Sequence, residues 1–224
     1  MKETVRILMT DDHPIIIEGY QNTLIATKKE HQDLQIDIAN NCDESLKMLR
    51  AARDSKNYYH VLFMDISLPP SSDGDFTSGE DLAKYARRLM PKTKIIMLTM
   101  FNEPYRIYNI IREIDPEGFL IKSDLTSREL SSAFQAVLNN PPFYSATVSA
   151  TIRKTITNDF NLDDIDRKIL YLLSQGVRTK NLKEHFQISL SAIEKRKKQL
   201  KILFDVHDGS DERLLALAKE MGFI

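Results

Sequence analysis

Five times over the first 140 residues a short apolar run gives way to an amphipathic stretch, a rhythm that few folds accept. The runs are Val5–Met9, Gln35–Ala39, Val61–Met64, Lys94–Leu98 and Gly118–Ile121. Val61–Met64 is apolar throughout, as in a strand buried on both faces, whereas Gln35–Ala39 alternates, as in a strand near a sheet edge. Helical spacing fills the intervals. Pro14 suits the first turn of a helix whose buried face is Ile15, Ile16, Ile17, Tyr20, Leu24 and Ile25, and Asp43 stands as a cap before Glu44–Ala52. Pro91 stops a helix over Glu80–Met90, Pro104–Ile114 is helical, and Thr126 or Ser127 starts a helix that runs to Asn139. The alternation predicts a five-stranded, parallel, doubly wound α/β sheet. Right-handed crossovers then bring every strand's carboxyl end to one edge, where such sheets keep their ligand crevice.

The residues at those ends carry chemistry. Asp11 and Asp12 follow the first run, Asp65 the third, Thr99 the fourth and Lys122 the fifth. Three adjacent carboxylates raise one another's pKa unless a cation sits among them. A hard divalent ion with oxygen ligands relieves that repulsion, and Mg²⁺ takes only a few carboxylates while keeping several waters. An aspartate can attack phosphorus to form an acyl phosphate. The ion and Lys122 would neutralise charge on the phosphoryl oxygens, and Thr99 could hydrogen-bond one of them.

Composition narrows the setting. Of 224 residues, 42% are apolar and 28% charged, and the formal net charge is −1, the profile of a globular protein with no overall bias toward acidic partners. A lone cysteine, Cys42, excludes an internal disulfide framework and a Cys-rich zinc site, and fits a reducing compartment. No apolar run approaches the roughly 18–20 residues needed to span a bilayer, and the chain enters a strand too soon for a signal peptide. The expected setting is the cytoplasm, without membrane contact.

A second region begins after Asn139-Asn140-Pro141-Pro142, because consecutive prolines stop a helix. The expected division is residues 1–140, a linker at 141–158 with a helix over Ser145–Thr157, and an all-α domain at 159–224. In that last part Asp163 or Asp164 starts a helix ended by Gly176, Thr179 caps a short one, and Ser189 or Ser191 caps a longer one. Asp211 starts the last. Residues 178–201 hold eight Lys or Arg against two Glu. A short helix, a turn and a second helix bearing that charge predict a helix-turn-helix that lays its second helix in the DNA major groove. The candidate contacts are Arg178, Lys180, Lys183, Ser191, Lys195, Arg196, Lys198 and Lys201.

These motifs, in this order, resemble the receiver domain of two-component response regulators, which is flavodoxin-like. The match rests on Asp11-Asp12, Asp65 in Met-Asp-Ile-Ser-Leu-Pro, Thr99 after Ile-Ile-Met-Leu, and Lys122 in Gly-Phe-Leu-Ile-Lys. The resemblance implies that Asp65 takes a phosphoryl group from a histidine kinase, and that Mg²⁺ is held by Asp11, Asp12, Asp65 and the Ser67 backbone carbonyl. It also implies that Phe119 is the switch aromatic coupled to Thr99. The loop 70–78 is longer than the family's, with Gly74 or Gly79 as the equivalent of its usual glycine, and Met100 is bulkier than the residue often found after the threonine. Residues 161–206 further resemble the helix-turn-helix of the LuxR/NarL class, through Ile169–Leu173 with Gly176, Asn181-Leu182, Phe186–Ser189, Ala192–Glu194 and Val206. The function so implied is a DNA-binding transcription regulator, dimeric when phosphorylated. Its only enzymatic activity would be phosphotransfer onto Asp65 and hydrolysis of the acyl phosphate. Two rivals are a receiver whose C-terminal helices bind protein, and an aspartyl phosphohydrolase. Ser67 stands against the second, where such enzymes carry an acid.

Overall fold

The computed structural model describes residues 3–157, 162–207 and 209–224, so the expected boundary at 158/159 and the residue Asn161 lie outside the described residues. The first compact unit comprises Met1–Asn102 and Ile110–Val148, the second Glu103–Asn109 and Ser149–Ile224.

The sheet of the first unit follows the apolar runs. Its strands are β1 (Glu3–Thr10), β2 (Gln32–Ala39), β3 (Val61–Asp65), β4 (Lys94–Thr99), β5 (Gly118–Ile121) and β6 (Phe143–Tyr144). They pair in parallel in the order β2-β1-β3-β4-β5-β6. All residues of β3 and β5 are buried, while β2 alternates at the edge. The helices α1 (Pro14–Thr27), α2 (Cys42–Asp54), α3 (Gly79–Leu89), α4 (Pro104–Ile114) and α5 (Ser127–Asn139) connect the strands. A core of Ile7, Met9, Phe63, Ile96, Leu98 and Leu120 from the sheet, with Ile17, Leu24, Leu130, Phe134 and Val137 from α1 and α5, holds one face.

Three expectations change. Ile15 and Ile25 are exposed, at 85% and 47%, so the buried face of α1 is carried by Ile17 and Leu24. The sheet has a sixth strand where a linker was expected. Phe143 N–H donates to Glu117 O at 2.9 Å, and Ser145 N–H to Phe119 O at 3.0 Å. Two residues are too few to show alternation, so no periodic signal marks this strand. Asp43 does not cap α2. Asn41 does, its Oδ1 accepting from Glu44 N–H at 2.9 Å. Asp43 instead reaches the long loop, accepting from the backbone N–H and the hydroxyl of Ser72, both at 3.1 Å. The loop is ordered from within as well, since Ser71 Oγ donates to Asp73 at 2.5 Å and Phe76 packs edge-on against Tyr85 at 5.4 Å.

In the second unit the described helices are α6 (Ala146–Thr157), α7 (Asp164–Ser174), α8 (Leu190–Leu203) and α9 (Asp211–Glu220), with a 3-10 segment at Thr179–His185. Asp163 caps α7, Ser189 caps α8 and Ser210 caps α9. Thr179 is not a cap. Arg178 occupies that position without a side-chain bond, and Thr179 Oγ1 accepts from Lys197 Nζ at 2.7 Å. Ile169, Leu170, Leu182, Ile193, Leu200, Phe204 and Leu214 form the core.

Candidate functional site

The acid at the tip of β3 is 1% exposed, and a carboxylate buried so deeply needs partners. One comes from the far side of the crevice. Lys122, at the end of β5, donates from Nζ to Asp11 Oδ2 at 2.6 Å and lies 3.0 Å from Asp65 Oδ2. One ammonium between two carboxylates, with Asp12 adjacent, leaves surplus negative charge. Asp65 Oδ1 is buried and has no hydrogen-bond partner among the described residues. Burial raises the Asp65 carboxyl above the usual carboxylate range. Lys122 pulls it down, Asp11 pushes it further up, and a bond from the Ser67 N–H pulls down again.

The donor set fits a hard cation. Carboxylate oxygens of Asp11, Asp12 and Asp65, with a ring nitrogen of His13, all lie within 4.8 Å of one another. Oxygens on opposite sides of Mg²⁺ at about 2.1 Å each would stand roughly 4.2 Å apart. The unpartnered Asp65 Oδ1 supplies the observation that the site is built for more positive charge than Lys122 alone provides.

Thr99 ends β4 beside Ile121, the residue before Lys122, so it shares the edge. Its side chain is buried, and its Oγ1 accepts from the Phe101 N–H at 2.9 Å. Ser67 is exposed just past β3, and Phe119 is fully buried in β5. Asp11, Asp12, Asp65 and Lys122 are therefore gathered at one point, with Thr99 and Ser67 at its rim and Phe119 inside the sheet. A cavity of about 460 Å³ opens beside Lys122 between Tyr20, Ile16 and Met100. Met100 is 63% exposed and lines that cavity.

Sequence reasoning missed one contributor and left a second undecided. His13 lies with Nδ1 at 2.7 Å from Asp12 Oδ1, and its N–H donates to Asp11 Oδ1 at 3.0 Å. Gly79, left as an alternative to Gly74, backs the site directly. A Cβ there would stand 1.8 Å from the Asp65 carbonyl oxygen, while none of Gly74's surroundings lies within 4 Å of such an atom. The only sequence signal was a glycine at the junction of a polar loop and a helix.

The basic helix α8 is held from both flanks. Arg196 Nη1 donates to Asp163 Oδ2 at 2.7 Å and to Asp166 Oδ1 at 2.9 Å, both at the start of α7. On the other flank Asp211, at the start of α9, pairs with Lys197 and with Lys201, each at 2.5 Å. Lys201 also donates to Gly209 O. Among the sequence-expected contacts, Arg196 and Lys201 are thus tied to carboxylates within the unit. Arg178, Lys180, Lys183, Ser191, Lys195 and Lys198 are exposed.

Residues 7–135, more than half of the chain, match the family model described as the response regulator receiver domain. The chain is 27% identical over 197 residues to the transcriptional regulatory protein RcsB of Salmonella typhi, covering 87% of this chain and 85% of that one. The isolated receiver domain of RcsB from Salmonella enterica serovar Typhimurium, with the phosphomimetic BeF₃⁻, is similar at a TM-score of 0.53 and 27% identity, over 66% of this chain and 98% of that one. Salmonella typhimurium RcsB, solved in a study of conformational dynamism for DNA interaction, is similar at a TM-score of 0.58 and 25% identity, over 96% and 98%. With its acid cluster, lysine and threonine at the ends of successive parallel strands, the chain belongs to the response regulator receiver family.

Proposed function

We propose that this protein is a transcription-regulating response regulator, phosphorylated on Asp65 by a histidine kinase and acting on duplex DNA through its helical unit. The observation that carries the first half is the Lys122 ammonium shared between Asp11 and Asp65 beside an unpartnered Asp65 oxygen. An Asp65 oxygen forms the bond to phosphorus as the P–N bond of a phosphohistidine breaks, and the freed imidazole nitrogen takes a proton. Lys122 then exchanges its contact with Asp65 for a phosphoryl oxygen, and the Thr99 hydroxyl donates to another. Mg²⁺, when held by Asp11, Asp12, Asp65 and the Ser67 carbonyl, supplies further neutralising charge. Water hydrolyses the acyl phosphate later and resets the site.

The second half rests on α8, whose exposed Lys195 and Lys198 lie on a capped helix that follows the Thr179–His185 segment, the arrangement of a helix-turn-helix. Its relative RcsB carries the name of a transcriptional regulator. Phosphorylation favours a dimer, and two half-sites are then occupied together. The setting of that work is the cytoplasm; among the described residues no helix is long and apolar enough to cross a membrane.

Duplex from upstream of the protein's own coding region is expected to shift in a gel with the full chain, and at lower protein concentration after treatment with acetyl phosphate and Mg²⁺. Lys195→Ala with Lys198→Ala is expected to lower the dependence of log affinity on log salt by about 2, near one per lost phosphate contact, with thermal unfolding unchanged. Arg196→Ala is expected to act the other way. It removes partly exposed ion pairs worth about 1 kcal/mol and so lowers the unfolding midpoint, with a smaller effect on the salt slope. An unchanged salt slope in the double lysine variant would place DNA on another surface.

A further inference from the structure

The two flanking clamps fix which side of α8 faces away from its own unit. Arg196 is pulled toward α7, and Lys197 and Lys201 toward α9, while Ile193 and Leu200 point into the core. What remains outward on the first turns is Ser191, Glu194, Lys195 and Lys198. Three of these suit a polyanion. Glu194 does not.

An exposed acid among phosphate-binding lysines lowers affinity for any duplex, so its place on this face calls for a compensating role. The ordinary role is an i, i+4 ion pair with Lys198. That pair is not made: among the described residues Glu194 forms no hydrogen bond or salt bridge, and neither does Lys198. Glu194 sits five residues past the Ser189 cap, in the part of a recognition helix that reaches base edges. In the major groove a carboxylate finds one base-specific donor, the N4 amino group of cytosine. Guanine N7 and O6, thymine O4 and adenine N7 all repel it, and the adenine amino group is shared with that acceptor.

We propose that Glu194 is a specificity residue that selects a C·G pair in each half-site, accepting from cytosine N4, while Lys195 and Lys198 beside it hold the phosphates. This assignment rests on the DNA-binding reading above. Ser191 is partly committed, since its hydroxyl lies 3.0 Å from that of Ser189, the helix cap. Glu194 is therefore the outward hydrogen-bond acceptor left uncommitted to read a base.

The test is selection from a randomised duplex pool by the full-length protein treated with acetyl phosphate and Mg²⁺, repeated with Glu194→Ala and Glu194→Gln. Wild type is expected to enrich one position for cytosine in each half-site. Glu194→Ala is expected to lose that preference alone, with discrimination falling roughly five- to a hundredfold and binding to the other three pairs rising. Glu194→Gln is expected to move the preference at that position toward adenine, whose N6 and N7 match an amide. A purely structural role would not produce that shift. If wild type selects a site and both variants select the same one, the Glu194 assignment is wrong and the DNA-binding reading stands. If wild type retains no duplex at all, the DNA-binding reading falls and takes this assignment with it.

Discussion

Asp65→Asn protein is expected to take up no phosphoryl label from acetyl phosphate in the presence of Mg²⁺, under conditions where wild type labels fully. The amide has no nucleophilic oxygen anion, and the two neighbouring carboxylates are held by closer contacts than the 3.0 Å one between Lys122 and Asp65. Asp11 is engaged by Lys122 at 2.6 Å, and Asp12 by His13 at 2.7 Å. The loss is separable from misfolding because stability moves the opposite way. Burial and the neighbouring Asp11 charge hold the folded-state pKa of Asp65 above its unfolded value. A carboxyl raised in this way favours folding while protonated. Its ionisation therefore costs stability as the pH climbs from the unfolded value through the folded one. In metal-free buffer Asp65→Asn is accordingly expected to match or exceed the wild-type unfolding midpoint at neutral pH, and to lose part of the decline seen in wild type between acid and neutral pH. Calorimetry across that range, alongside labelling, checks both. Labelling of the variant at the wild-type level would place the acceptor elsewhere.

Gly79→Ala is the substitution expected to damage the fold most for the least change in mass. The added methyl would meet the Asp65 carbonyl oxygen at 1.8 Å, the Asp65 carbonyl carbon at 2.8 Å and the Ile66 Cα at 3.2 Å, all of them backbone. No rotamer can yield, so the end of β3 or the start of α3 must move, and the Gly79 N–H bond to Ile66 O at 3.1 Å moves with it. Overpacking of this kind costs about 3 kcal/mol. In a chain of this size that is an unfolding midpoint lower by roughly 6–12 °C. Displacing Asp65 should also slow labelling in the fraction that folds. Gly74→Ala is the matched comparison. Gly74 has a φ of +75° and open space around it, so the substitution costs only the left-handed backbone penalty of about 1 kcal/mol. Equal midpoints for the two variants would mean that the close approach at Gly79 is not what shapes this corner.

Most of the site was legible because its parts are terminal to strands. An uninterrupted apolar run ending in Asp65, and others ending in Thr99 and Lys122, place those side chains on one edge once the sheet is parallel, and the ammonium between Asp11 and Asp65 follows. The edge position of β2 was legible from its alternation in the same way. What escaped depends on contacts between residues far apart in the chain. Asp43 looks like a cap until Ser72 arrives from 29 residues away. Arg196 looks like one more phosphate contact until Asp163 and Asp166, 33 and 30 residues earlier, close on it. β6 is a two-residue strand with no pattern of its own, recruited by the free edge of β5.

The clamps on α8 have a kinetic consequence. Three of the five basic side chains in 195–201 are already paired with Asp163, Asp166 and Asp211, so the long-range potential around the helix is weaker and more focused than its composition suggests. On the DNA-binding reading proposed above, a lower charge exposed to arbitrary sequence shortens each unproductive stay on the duplex. On that reading, the same three aspartates that orient the helix also quicken its search.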